Sequence, residues 1–579
     1  MNAAVRVASG QLEGQGASSS SSEQSESIRQ EAMAWEEEVR RRGAARPKPP
    51  ALQLEYGTAG FRTLAERLPH VVFRMGLLAA LRAKAVRAAV AVMVTASHNP
   101  EEDNGVKLVE PLGEMLVASW EEHATRLANA DDGALASELR AIAEAESVDM
   151  QAPSHVLLGR DTRPSSEALS RAVMDGVEAL GATYQDLGLV TTPQLHYVVR
   201  CHNTQGRYGE PSLAGYAHKL TQAFLALLQQ APPPAQGLPR RLTVDAANGI
   251  GAPRLSELLG PLREQLSVAV SNDGTAGKLN EGCGADYVKV QQKPPQGVEL
   301  APNAHCCSFD GDGDRVVFFY ADDAGRFHLL DGDKIATLVA HFLQDLLKQA
   351  ALQLQVSVVQ TAYANGSSTH FLTGTLGVPV HCVKTGVKHL HHQAQKADVG
   401  VYFEANGHGT VLFSDAAEKQ IRDAMEDANS GVERRRAAEQ LHHTVNLINQ
   451  TVGDAISDML LIEAILALRG LSMPQWDSMY TDLPNRQLKV KVSDRRVIET
   501  EDAERRAVRP PGLQQEVEAR VRRYARGRSF VRASGTEDLV RVYAEADTQE
   551  NADRLAHEVA LLVHRMAGGT GEEPKPPLP

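Results

Sequence analysis

Three aspartates at alternate positions, in Phe309-Asp310-Gly311-Asp312-Gly313-Asp314-Arg315, are the residues of this sequence that most need a chemical explanation. Like charges at that spacing repel unless a cation sits among them. Alternation puts the three carboxylates on one side of an extended segment, and the glycines let the backbone curl until their oxygens converge on a hard cation such as Mg2+. An EF-hand loop loses ground, because the glycine and bidentate glutamate it needs fall at Arg315 and Ala321. An acidic turn satisfied by water stays open as the alternative. Three carboxylates are too few ligands for octahedral Mg2+, so waters or a phosphate oxygen would complete the shell.

Three further segments carry chemistry. Thr95-Ala96-Ser97-His98-Asn99-Pro100 follows the strand-like Val90 to Val94, on a loop at a strand's carboxyl end, where α/β sites gather. Ser97 could be a nucleophile. It lacks the GxSxG elbow of hydrolases, and a plain turn motif is the competing reading. Lys107, in Asn104-Gly105-Val106-Lys107, supplies a cation able to hold an anion at Ser97. In Phe403-Glu404-Ala405-Asn406-Gly407-His408-Gly409, Glu404 and Asn406 carry the donors and acceptors that suit sugar hydroxyls, with a structural turn as the alternative. Arg532-Ala533-Ser534-Gly535-Thr536-Glu537, followed by Arg541, offers guanidinium, hydroxyl and backbone N–H groups that together can cradle a phosphate.

Positioning these loops requires strands and helices in layers. Short apolar runs at Val156 to Gly159, Leu242 to Asp245, Val356 to Thr361, and Val399 to Glu404 alternate with helical patterns, which reads as α/β. Recurring strand-to-polar-loop passages at 159–161, 245–249 and 364–366 suggest several similar α/β domains. A composition break after about Leu471 opens a smaller final domain. The chain of 579 residues allows about four domains. Its net charge of -13 argues against nucleic acid as the main partner, and an anionic substrate must be caught by local Arg and Lys.

The five cysteines show no CxxC spacing, which implies reduced thiols and argues against zinc. Neither a signal-peptide core nor a membrane span is expected, since the most apolar window, Met75 to Val94, contains Arg82, Lys84 and Arg87. The expectation is a cytoplasmic enzyme. Residues 1–50 read as a flexible extension with a solvated polar helix between Ile28 and Arg42, and 568–579 as a loose tail.

Taken together and in this order, the four loops resemble those of the α-D-phosphohexomutase family, from Leu54 to about Gly568. Gln53 to Arg62, Glu101 to Lys107, and Lys384 to His389 add to the likeness and look most like its hexosamine-phosphate branch. The resemblance implies a four-domain α/β architecture: three similar mixed α/β domains plus a smaller C-terminal α+β domain around a central cleft. The expected boundaries are 51–210 with the phosphoserine loop, 211–322 with the Mg-binding loop, 323–470 with the sugar loop and 471–567 with the phosphate loop. It implies interconversion of N-acetylglucosamine 6-phosphate and 1-phosphate through phosphorylated Ser97 and a 1,6-bisphosphate, towards UDP-N-acetylglucosamine.

On that basis Ser97, Asp310, Asp312 and Asp314 would hold one Mg2+, Lys107 and Arg315 would share the electrostatic work, and His98 and His408 are candidates for proton transfer. Arg62, Thr385, Gly386, Glu404, Ala405 and Asn406 would meet the sugar. Arg532, Ala533, Ser534, Gly535, Thr536 and Arg541 would hold the phosphate that is not reacting. Asn406 stands where glucose and mannose mutases usually carry serine, and its amide suits a 2-acetamido group. Glucose or N-acetylglucosamine 1,6-bisphosphate is the implied activator, and a monomer or weak homodimer the implied state. Gly313 and Ala533 replace the family's alanine and proline, so each loop is expected to lose stiffness worth about 0.4 to 1 kcal/mol.

Overall fold

The computed structural model describes residues 35–233, 240–534 and 538–575. Three α/β units and a smaller α+β unit surround a cleft. The first sheet runs, in spatial order, Phe61–Leu64, Asp103–Val109, Val90–Val94, His155–Arg160, Thr183–Leu189. The second runs Phe327–Leu330, Val316–Ala321, His305–Phe309, Arg240–Asp245, Leu266–Ser271. The third runs Val380–Val383, Val356–Thr361, Val399–Phe403, Gly409–Phe413. In each, a central strand pairs in parallel on one side and antiparallel on the other. The loop joining that central strand to its antiparallel partner carries Ser97 in the first unit, the acidic run in the second and Glu404 to His408 in the third. The expected recurrence of units is therefore one of topology as well as of pattern.

The central strands are continuous apolar runs buried on both faces, as strands covered by helices must be: every residue of Val90–Val94 is buried. Helix Pro69–Val86 lies against Ser166–Ala179. They approach so closely that a Cβ on Gly76 would stand 2.1 Å from the Val173 carbonyl oxygen, and one on Gly176 2.1 Å from that of Phe73. The fourth unit is an antiparallel sheet, Asn485–Lys491, Leu539–Glu545, Arg528–Ala533, with a small hairpin and the helices Leu513–Val521 and Gln549–Met566. No helix among the described residues is long and apolar enough to cross a membrane.

Three expectations need correction. Residues 35–43 are helical, and Val39 is fully buried in the first unit's core. Arg42 reaches Glu178 at 2.6 Å, and Arg46 pairs with Asp175. Trp35, four residues before Val39, packs on the same core, and two apolar residues among so many charges leave little periodic signal; the rest of the expected helix, 28–34, lies outside the described residues. The second sheet continues through Phe327–Leu330, across the expected boundary at 322–323, because the Gly- and Asp-rich stretch after Ala321 is a hairpin turn and not a linker. The tail is tied at its start by a bridge between Val492 and Gly569.

Below the first unit's loops lies His196, fully enclosed, with Nδ1 2.7 Å from the Gly113 carbonyl oxygen. Burial, helped by Lys107, pulls its pKa from 6.5 to about 3. The unfolded chain therefore binds a proton near pH 6.5 that the folded chain refuses. Stability from this group is complete above that pH and lost as pH falls, by about 1.4 kcal/mol per unit. Thermal melts at successive pH values should show this slope in the parent and a shallower one in His196→Gln; equal slopes would refute it.

Candidate active site

Ser97 is fully buried and sits in the left-handed region, φ 52°. A non-glycine residue pays about 1 to 2 kcal/mol to stay there, and hydrogen bonds hold it. Its N–H donates to Thr95 Oγ1 at 2.9 Å, and its carbonyl accepts from Arg163 Nη2 at 2.9 Å and Asn280 Nδ2 at 2.9 Å. Asn280 belongs to the second unit, so the serine loop is fixed from across the cleft.

Arg163 is completely enclosed; its Nε donates to Asp161 Oδ2 at 3.0 Å, and its two Nη groups donate to the serine loop, Nη1 to the carbonyls of Pro100 and Asp103, Nη2 to those of Ser97 and Asn99. Asp161 also accepts from Thr95 Oγ1 and Ser166 Oγ, each at 2.7 Å. Burial raises its pKa against these partners.

The acidic run is a turn, not an extended segment. Gly313 N–H donates to the Asp310 carbonyl at 3.2 Å, and Asp310 Oδ1 accepts from the backbone of Asp314 and Arg315. Gly313 has φ 72°, and a Cβ there would meet Thr191 Cγ2 at 3.1 Å. Glycine is the comfortable residue at that φ, so the expected loss of stiffness at Gly313 does not apply. Ala533 lies within strand Arg528–Ala533, paired with Val540.

The three carboxylates each offer an oxygen within 4.8 Å of the others, and all three are buried. Ser97 Oγ donates to Asp310 Oδ2 at 2.7 Å, and Thr192 Oγ1 to Asp312 Oδ2 at 2.6 Å. Asp312 Oδ1 is buried with no hydrogen-bond partner. Burial first, then Asp314 and Asp312, push the Asp310 pKa well up. Burial likewise opposes charge on Asp314, but His408, Lys107 and Arg315 outweigh it and hold its pKa well down. A convergent, dry, all-oxygen donor set with an orphaned carboxylate oxygen fits a hard divalent cation.

Cations ring this set. Lys107 Nζ lies 3.5 Å from Asp312 Oδ2 and 3.6 Å from Asp314 Oδ2. Arg315 Nε lies 3.9 Å from Asp310 Oδ2 and 3.8 Å from Asp314 Oδ1. Burial opposes the Arg315 charge, yet Asp310, Asp314, Asp286 and Glu404 raise its pKa. Arg62 is close enough that burial, then Arg315, lower its own. His408 Nδ1 is 3.4 Å from Asp314 Oδ1. His98 is held neutral, its pKa brought to about 2 by Arg315, burial and Arg62. Of the two expected proton carriers, only His408 has a ring nitrogen within 4 Å of a carboxylate oxygen among the described residues.

Glu404 and Asn406 lie half-buried on the tight turn after Val399–Phe403. Asn406 Oδ1 accepts from the His408 N–H at 3.0 Å, and Nδ2 faces Glu404 Oε2 at 3.3 Å. With its oxygen committed to the turn, the amide presents a donor. Ala405 is half-buried beside them. Gly386, φ 127°, opens helix Val387–Ala394 against Thr58.

Arg532 and Arg541 are paired across adjacent strands, and Lys489 pairs with Arg541 on its other side. Directly opposed like charges destabilise a sheet, so this row gains when an anion lies across it. Ser534 N–H donates to the Leu539 carbonyl at 2.9 Å; Gly535 and Thr536 lie outside the described residues. Sequence reasoning missed Arg163, Asp161, Asn280, Thr192, Lys489 and Glu504. Asp161-x-Arg163, directly after a strand, came nearest to a signal, but an arginine there is ordinary when read alone.

Family models match in chain order. Phosphoglucomutase/phosphomannomutase alpha/beta/alpha domain I covers 76–134 and 132–207, and phosphoacetylglucosamine mutase AMG1 domain II covers 235–317. AMG1 domain III covers 331–471, and the phosphoglucomutase/phosphomannomutase C-terminal domain covers 488–562. Phosphoacetylglucosamine mutase of Sus scrofa is 60% identical over 93% of this chain and 99% of its own. An N-acetylglucosamine-phosphate mutase of the α-D-phosphohexomutase superfamily, solved in a product complex, superposes with TM-score 0.88 at 47% identity, covering 92% of this chain and 100% of that one. The Aspergillus fumigatus enzyme, solved with GlcNAc-6P and magnesium, gives TM-score 0.88 at 46% identity over 92% and 99%. The chain belongs to the phosphoacetylglucosamine mutase family of the α-D-phosphohexomutases.

Proposed function

We propose that this chain interconverts N-acetylglucosamine 6-phosphate and N-acetylglucosamine 1-phosphate, supplying the synthesis of UDP-N-acetylglucosamine, with Ser97 as the phosphoryl carrier. The observation that carries this reading is the 2.7 Å contact between Ser97 Oγ and Asp310 Oδ2, made between two units inside a buried, cation-ringed pocket. Asp310, Asp312 and Asp314, with an oxygen of phosphorylated Ser97, are the residues that would hold Mg2+. When bound, Mg2+ supplies electrostatic stabilisation of the transferring phosphoryl group.

The sugar's O1 hydroxyl attacks the phosphorus on Ser97 Oγ. The P–Oγ bond breaks, the hydroxyl proton passes through a base to the departing Ser97 Oγ, and a 1,6-bisphosphate results. His408 is our candidate base. After the bisphosphate turns over, Ser97 Oγ takes the 6-phosphoryl group, the proton returns to the sugar oxygen, and the 1-phosphate leaves. Lys107, Arg315 and Arg62 balance charge on the moving group. Arg532, Ser534 and Arg541, with Lys489 beside them, hold the other phosphate. Glu404 takes sugar hydroxyls, and the Asn406 amide donates to the acetamido carbonyl. Closure of the cleft keeps water from phosphoserine.

Two measurements test this. Incubation with glucose 1,6-bisphosphate should add the mass of one phosphate at Ser97. In addition, kcat/KM for N-acetylglucosamine 6-phosphate should exceed that for glucose 6-phosphate. A preference for glucose would overturn the substrate assignment, and a persistently unmodified Ser97 the whole reading.

A further inference from the structure

We propose that Glu504 is a positioning residue that locks the phosphate-binding arginine of the fourth unit to the Thr385 loop of the third. The proposal rests on the function proposed above, and it concerns a residue outside the set from which that function was read. Glu504 lies at the tip of the hairpin formed by Glu499–Glu501 and Arg506–Arg509. Its Oε1 accepts from Arg532 Nε at 2.9 Å. Its Oε2 accepts from both the backbone N–H of Thr385, at 2.9 Å, and the Thr385 hydroxyl, at 2.6 Å. One carboxylate thus satisfies three donors from two units, and each donor belongs to a residue expected to touch substrate.

Incidental surface ion pairs do not look like this. On the same hairpin Arg506 and Glu501 stand 3.7 Å apart with half or more of each side chain exposed, whereas the Glu504 side chain is 13% exposed. The backbone is also bent to present it. Asp502, Ala503 and Glu504 all have positive φ, at 50°, 54° and 67°, although none is glycine. Backbone held so far from its preferred region persists only where the surrounding contacts over-determine it.

The consequence is geometric. A carboxylate on Nε fixes the plane of the Arg532 guanidinium, and the fork's direction decides whether a phosphate meets it squarely. The second oxygen sets the distance from that fork to the Thr385 loop, and hence to the sugar ring. Burial opposes charge on Arg532, and Glu504 outweighs it, raising the arginine's pKa. A glutamine in this place offers one acceptor oxygen where two are used, so it can serve Arg532 or Thr385 but not both.

Hydrogen exchange and steady-state kinetics on the parent chain, Glu504→Gln and Glu504→Ala test the proposal. The Thr385 amide is expected to exchange about tenfold faster or more in Glu504→Ala, which removes both acceptors, while either variant breaks the link between Arg532 and Thr385. KM for N-acetylglucosamine 6-phosphate should rise about tenfold with kcat within about threefold, as loss of binding geometry without loss of chemistry requires. Unchanged Thr385 exchange in Glu504→Ala, or KM within about twofold of the parent, would overturn it. A lower KM would overturn it too, since Glu504 would then be competing with substrate for Arg532. Should the parent not turn over N-acetylglucosamine 6-phosphate at all, the function would fall, and the exchange rates alone would still decide whether the lock exists.

Discussion

Ser97→Ala is expected to lower turnover of N-acetylglucosamine 6-phosphate by about a thousandfold or more, because it removes the hydroxyl proposed to carry the phosphoryl group between the two sugar oxygens. Fold should barely respond. Alanine bears the same Cβ as serine, so the cost of φ 52° is unchanged, and the backbone bonds from Thr95, Arg163 and Asn280 do not involve the hydroxyl. Asp310 loses one donor, worth about 1 kcal/mol, and keeps the N–H groups of Asp314 and Arg315. A coupled assay, read beside a thermal melt and an intact-mass spectrum, checks all three points. Residual turnover above about a tenth of the parent's would mean that phosphate travels by another route.

Arg163→Met should act through structure, and more severely than any change on the surface. Methionine fills comparable space but donates no hydrogen bond. Asp161 would be left as a buried carboxylate without its counter-ion, and the carbonyls of Ser97, Asn99, Pro100 and Asp103 would lose a shared donor. Removing one partner of a buried pair costs about 3 to 5 kcal/mol. The first unit's urea transition should move to lower concentration, and the surviving folded enzyme should lose about a hundredfold in kcat as the serine drifts from line. Because several units unfold in this chain, the transition must be followed by a first-unit probe such as Trp120. Arg163→Lys should recover part of the stability through charge alone. Parent-like stability and turnover in Arg163→Met would show that the backbone holds Ser97 unaided.

The two predictions also mark where sequence reading stops. The acidic run was legible because its meaning is local: carboxylates and glycines at alternate positions constrain one another within seven residues. The strands leading into two of the polar loops, Val90–Val94 and Val399–Phe403, were legible for the same reason, as apolar runs buried along their whole length. Arg163 was not, since an arginine after a strand is ordinary until the loop it ties down is seen beside it. Asn280, Thr192 and Glu504 are plain polar residues whose importance comes from partners more than a hundred positions away. Gly313 taught the opposite lesson. Judged against the family's alanine it loosened a loop, whereas its φ of 72° makes it the residue that relaxes one.

The contact between Ser97 and Asp310 spans 213 positions of chain. At ordinary elongation rates of about 5 to 20 residues per second, the serine is synthesised roughly 10 to 40 seconds before its aspartate. During that interval the first unit can fold but cannot perform phosphoryl transfer. With Ser97 as the proposed phosphoryl carrier, phosphate there becomes a receipt for assembly, since a chain can acquire it by its own chemistry only once the second unit has docked.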